Sequence, residues 1–116
     1  MTPADPVLTD PGLYRVLLEN DHVRVLEYRD EPGDATHLHR HPDSVMIPLA
    51  HFRRRLTVDD RQAEVELEPL AVRWLDAQRH RGENIGDTAS HALFVELKTG
   101  SSAPSATSST EPLGPA

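Results

Sequence analysis

The chain has 116 residues, 37% hydrophobic and 27% charged, with a formal net charge of −7 and no cysteine. That length suits one domain with a small core, and the acidic balance argues against nucleic acid as a partner, because affinity for phosphates comes from clustered Lys and Arg releasing counterions. The missing cysteines exclude disulfides, thiolate ligands and a Cys nucleophile, and Lys98 as the single lysine makes Schiff-base chemistry a poor fit.

Residues 1–12, rich in proline at their start, are predicted to form an extended N-terminal arm with weak order. They show no basic segment followed by an apolar one, and no run in the chain approaches the roughly 18 apolar residues of a membrane span, so the expectation is a soluble cytoplasmic protein without a membrane partner. The foldable domain is expected over 13–99. Its segments show two-residue periodicity or continuous β-favouring runs and no 3.6-residue pattern of helical length. Strands are predicted at Tyr14–Glu19, His22–Arg29, Ser44–Leu49, Phe52–Val58, Ala63–Glu68, Ala71–Leu75 and His91–Leu97. Turns fall at Asn20-Asp21, Glu31-Pro32-Gly33-Asp34, Asp59-Asp60 and Asn84-Ile85-Gly86-Asp87.

The clearest alternation is Ala63, Val65 and Leu67 inward with Glu64, Glu66 and Glu68 outward. Pro48 lacks the N–H of a central ladder and marks an edge or a bulge. From Gly100 the chain is Ser, Thr, Ala, Pro and Gly with almost nothing to bury, and 100–116 are read as a disordered tail. Seven or more short strands at this spacing predict an all-β sandwich or barrel, and histidines directed inside favour a barrel with an accessible mouth.

His37, His39 and His41 alternate in a strand-like run, and His80 follows far downstream in His80-Arg-Gly-Glu-Asn84. Residues two apart on a strand share a face, so two such rings and a third from a distant strand can close on one metal ion and leave a coordination position open. Without a metal, the same histidines would simply be solvated in a polar turn. Imidazole suits several divalent transition ions, Fe, Mn, Ni and Zn among them.

Other side chains have two readings each. In Phe52-Arg53-Arg54-Arg55-Leu56-Thr57-Val58, Arg54 shares the apolar face, where it either anchors a substrate carboxylate through two parallel hydrogen bonds or pairs with an inward acidic residue. His91 shares a face with Leu93, Val95 and Leu97, which reads as inward and near the substrate, or as a satisfied core histidine. His22 and His51 read as surface residues, and Trp74 as core or interface packing. Glu83 would be a general base only if it faced the cavity. No Ser-His-Asp context and no Gly-rich phosphate loop appears, which sets aside hydrolase and nucleotide-binding readings.

Gly33, five residues, then His39-Arg-His41 resembles the first motif of the cupins, and His80-Arg-Gly-Glu-Asn84 followed by Gly86-Asp87 resembles the end of the second. The resemblance runs from about Tyr14 to Lys98. His41–Met46, Arg73–His80 and Gly82–Asp87 look more narrowly like a small bacterial cupin group that includes proteins named for β-alanine degradation. The resemblance implies an all-β double-stranded β-helix, or jelly-roll barrel, with His39, His41 and His80 as ligands of one divalent transition metal and His37 outside the set. It also gives Gly33 a role, freeing the turn before the first ligand strand.

Two departures stand out. Ser44, Val45 and Met46 occupy the place of the usual carboxylate ligand, and Leu75-Asp-Ala77 that of the usual Pro-X-Gly. Asp43 or Gln78 could supply an oxygen as fourth ligand, and Asp43 could instead accept an imidazole N–H and fix its tautomer. The function expected is a metal-dependent, dioxygenase-like oxidoreductase on a small carboxylate metabolite, with Arg54 and His91 toward the substrate. The alternative is a non-catalytic metal- or ligand-binding module acting through a partner or through dimerisation, and a homodimer is expected in either case.

Overall fold

The structure is a computed structural model, and it describes residues 5–98. After a one-turn helix α1 (Pro6–Thr9) come nine strands: β1 (Tyr14–Glu19), β2 (Val23–Asp30), β3 (His39–His41), β4 (Ser44–Pro48), β5 (Phe52–Val58), β6 (Arg61–Leu67), β7 (Arg73–Leu75), β8 (Gln78–Asn84) and β9 (Ser90–Leu97). They form two antiparallel sheets, one ordered β1-β2-β9-β4-β7 and the other β3-β8-β5-β6. No helix among the described residues is long and apolar enough to cross a membrane. The tail expected from residue 100 lies outside the described residues.

β1 and β5 have the bounds read from sequence, and the other five predicted strands shift by one or two residues at their ends. The segment expected to be an extended arm differs, since Pro6–Thr9 winds one helical turn. Asp5 caps it by accepting the Val7 N–H (2.9 Å), and Pro6 has its φ set for the first turn.

Two strands had no counterpart among the predicted seven, β3 and β8. In β8 the buried positions are Gln78, His80, Gly82 and Asn84, so the inward face carries no apolar residue to reveal the period. In β9 the inward set is Ser90, Ala92, Phe94 and Glu96. This corrects the expected orientation: His91, Leu93 and Val95 lie on the outer face. Part of that face is apolar too: beside the charged patch of Arg15, Glu27, Arg29 and His91, the register aligns Leu18, Val25, Val95, Val45 and Trp74 in one row across all five strands. Trp74 is half exposed, outside the core.

Tyr14, Leu26, Tyr28, Met46, Phe52, Leu67, Leu75, Ala92 and Phe94 fill the space between the sheets. On one side of this core sits a buried polar knot. Asp30 accepts from Arg54 (2.8 Å), Asn84 (2.9 Å), the Ser90 amide (3.1 Å) and the Tyr28 hydroxyl, while the Arg54 guanidinium lies over the Tyr28 ring, 4.9 Å from its centre.

Two glycines have definite reasons. Gly33 has φ +93°, a conformation that glycine adopts without the Cβ penalty. A Cβ on Gly82 would stand 2.3 Å from Arg54 Nη2 and 3.3 Å from Leu56 Cδ2. The guanidinium is pinned to Asp30 and cannot move aside without breaking that pair. Gly82→Ala is therefore expected to destabilise the fold by about 1–3 kcal/mol, measured as a lower urea midpoint at unchanged slope; an unchanged midpoint would show that Arg54 yields freely.

Candidate metal centre

β3 pairs with β8 so that His39 lies opposite His80 and His41 opposite Gln78. Since alternate residues share a face, all three imidazoles point between the sheets, and none has any exposed surface. One ring nitrogen from each lies within 4.8 Å of those of the other two. His39 and His41 bring their Nε2 atoms 3.1 Å apart. For comparison, metal–nitrogen bonds of about 2.05 Å at a tetrahedral angle place two ligand nitrogens about 3.3 Å apart.

Hydrogen bonds on the far side of each ring engage its Nδ1. His39 Nδ1 donates to the His37 carbonyl (2.8 Å), and His41 Nδ1 faces a Glu96 carboxylate oxygen (3.4 Å). His80 Nδ1 meets the side-chain oxygen of Gln78 (3.0 Å), whose amide nitrogen donates to the Asp76 carbonyl (3.0 Å) and so settles which end faces the ring. With the Nδ1 of each ring engaged on its outer side, Nε2 is the nitrogen that each turns toward the common space. At 3.1 Å the two Nε2 atoms need a proton or a metal ion between them. Burial first, and then the neighbouring His41, push His39 down to about 3, so His39 is held neutral and available as a donor to a metal. A metal ion bound by three neutral nitrogens fits the donor set.

Around the rings the environment is mostly apolar. His41 stacks on Phe94 with centres 5.1 Å apart, and Tyr14 meets His39 edge-on at 5.7 Å. The enclosed cavity deeper between the sheets, lined by Tyr14, Tyr28, Met46, Phe52, Arg54 and Phe94, measures only about 10 Å³. That is room for about one water molecule. On the outer side, Arg24 and Glu96 border an open cleft of about 500 Å³ together with Asp5 and Arg40.

The other expected site residues lie elsewhere. Gln78 is buried, but its oxygen accepts from His80 Nδ1, so it supports a ligand and is not placed as one. Asp43 is exposed and accepts the Ala77 N–H (2.9 Å), too occupied with that turn to serve His41. Arg54 faces inward as its alternation predicts, but Asp30 takes the place of the substrate anion. His91 pairs on the outer face with Glu27 (2.8 Å), and it and two arginines hold that carboxyl down to about 2. Glu83 lies beside Arg55, at 3.5 Å. His37 is exposed, its ring against Asp10.

Sequence reasoning missed Glu96, Arg24, Asp5 and Asp10. Glu96 sits between Val95 and Leu97, on the face opposite the one that the apolar pattern of β9 predicts to be inward. Its carboxylate is 2% exposed as a residue and accepts from Arg24 Nη2 (2.8 Å) and Nε (2.9 Å). A single acidic residue within a strand otherwise rich in apolar side chains was the available signal.

No protein-family model matches the chain, and no curated protein does. Solved structures do match. A cupin domain from Bordetella pertussis is 24% identical with a TM-score of 0.70, over 85% of this chain and 98% of that one. An RmlC-like cupin family protein with a double-stranded β-helix fold from Methanocaldococcus jannaschii is 14% identical with a TM-score of 0.60, over 73% and 78%. A cupin superfamily protein from Desulfitobacterium hafniense is 20% identical with a TM-score of 0.54, over 73% and 75%. These likenesses establish the fold as the cupin double-stranded β-helix.

Proposed function

We propose that this chain of cupin fold is a small metalloprotein in which His39, His41 and His80 hold one divalent transition metal. The observation that carries the reading is the convergence of three buried imidazoles, one ring nitrogen of each within 4.8 Å of the others, whose outer nitrogens are all engaged. Gln78 and Glu96 orient their rings, and Phe94 and Tyr14 keep the donor set apolar. When bound, an ion such as iron or manganese would supply Lewis acidity and an electron for dioxygen, which suits a dioxygenase-like oxidation.

On this reading the substrate is a small carboxylate, bound in the cleft beside Arg24 and Glu96. Arg40 lines that cleft, is exposed and has no ion pair among the described residues, so it offers the guanidinium that Arg54 commits to Asp30. The narrower sequence likeness, to small cupins named for β-alanine degradation, agrees with an acid of this size. Metal analysis of the purified protein, followed by dioxygen uptake with small carboxylates, tests the reading. Bound iron or manganese with substrate-dependent uptake is expected, and a chain that takes up none of the four metals would overturn it.

A second reading is a non-catalytic metal-binding module acting as a homodimer. The filled interior and the wholly buried rings favour it, as does the apolar row from Leu18 to Trp74. Five strands about 4.8 Å apart, three to eight residues long at about 3.3 Å each, give that sheet face a footprint of about 475 Å². This is a little over half of the roughly 800 Å² each partner buries in a stable complex, and a second copy offers a matching apolar row. Val95→Glu is expected to turn a dimer into a monomer in sedimentation; a wild type already monomeric would remove this reading.

A further inference from the structure

The segment Asp5–Asp10 is linked to the histidine cluster at both of its ends through intermediate residues. At the start of α1, both Asp5 carboxylate oxygens accept from Arg24 (2.7 and 2.9 Å). Arg24 donates in turn to Glu96, and Glu96 faces His41 Nδ1. At the other end, the buried Asp10 accepts the His37 amide N–H (3.0 Å) and meets the His37 ring (2.9 Å), while the His37 carbonyl holds His39 Nδ1–H. Two separate chains of charge-assisted bonds thus run from one helical turn to two different ligand rings. The helix itself packs against β1 and β3, and Val7 packs on the core cluster.

We propose that residues Asp5–Asp10 form a strap over the metal centre, whose docking and metal binding stabilise each other, with Asp5, Arg24, Glu96 and Asp10 as positioning residues for His41 and His39. The inference rests on the metal reading above. Outer partners of ligating histidines hold ring orientation and raise ligand basicity, and losing one costs about 10–100-fold in affinity. Coupling of two binding events is reciprocal, so the factor by which the docked strap tightens the metal is the factor by which metal tightens the strap. The strap also lies beside the cleft that borders Arg24 and Glu96, so its release would widen the approach to His41.

The test uses the full chain and Co(II) as probe, with affinity measured by competition against a chromophoric chelator. Asp5→Asn keeps a side chain that caps a helix but loses the ion pair, and Asp10→Asn loses the charge that holds His37. Each is expected to weaken Co(II) binding about 10-fold or more, measured well below the variant's own metal-free melting temperature, and to shift the visible Co(II) spectrum as a ring reorients. In the wild type, Co(II) is expected to slow hydrogen exchange of the Leu8, Thr9 and Asp10 amides, which donate within the turn. Wild-type affinity and spectrum in both variants, with no metal effect on those amides, would overturn the strap alone. A wild type that takes up no Co(II) would overturn the metal reading and the strap with it.

Discussion

Replacing His39 and His41 together by alanine is expected to abolish metal retention and the thermal response to metal. A ligand that binds only the folded state at about 100 times its dissociation constant adds about 2.7 kcal/mol. For a domain of this size each kcal/mol moves the melting temperature by about 4–8 °C, so added Zn(II) should raise the wild type by at least about 10 °C. The variant should not move. The metal-free proteins should differ less, because removing two rings leaves a void but also removes two buried ring nitrogens facing each other at 3.1 Å. Calorimetry with and without Zn(II), beside elemental analysis, reads both effects; equal metal content or equal response in the variant would refute the assigned ligands. His80→Ala should behave alike, since its ring comes from the opposite strand of the same pair.

Arg54→Leu is expected to be the most damaging single change outside the metal centre. It leaves Asp30 buried without its guanidinium, and breaking a buried pair by removing one partner costs about 3–5 kcal/mol. Total stability of a small domain is only about 5–15 kcal/mol. The pH dependence identifies the cause. Burial pushes the Asp30 carboxyl up, but bonds from Tyr28, Arg54, Ser90 and Asn84 outweigh it and hold the group below its ordinary 3.8. A folded value below the unfolded one adds stability that is complete above 3.8 and is lost as pH falls through the lowered value. Without Arg54 burial goes unopposed by a cation, protonation relieves the buried charge, and the deficit should shrink as pH falls toward 4. Urea unfolding at pH 7 and pH 4 measures it. A deficit equal at both would mean that lost packing, not the ion pair, is responsible, and adding Asp30→Asn should recover part of the loss at pH 7.

Where apolar and polar residues alternated, the strands could be located from sequence, as at Phe52–Val58 and Tyr14–Glu19. The same rule failed in β8, because Gln78, His80, Gly82 and Asn84 put polar or absent side chains on the inner face, and in β9, because both faces carry apolar residues. The clustering of His39, His41 and His80 was legible because their spacing and the motif resemblance do not depend on hydrophobic period. Their supports were not legible. Glu96 and Arg24 lie 55 and 17 positions from His41, and Asp10 lies 29 from His39, so only the tertiary fold brings them together. Arg54 shows the limit of local reasoning: alternation placed its side chain inward, but its partner Asp30 comes from another sheet.

The pairing of β3 with β8, and of β2 with β9, also bears on the order of events in time. His39 and His80 lie 41 residues apart, and Glu96 must cross the molecule to reach His41. Closing such long loops is slow, because their entropy is lost before any contact rewards it. On the metal reading, the three imidazoles meet only once β3 and β8 have paired, so an added ion is expected to act as a latch, lowering the unfolding rate while leaving the folding rate unchanged.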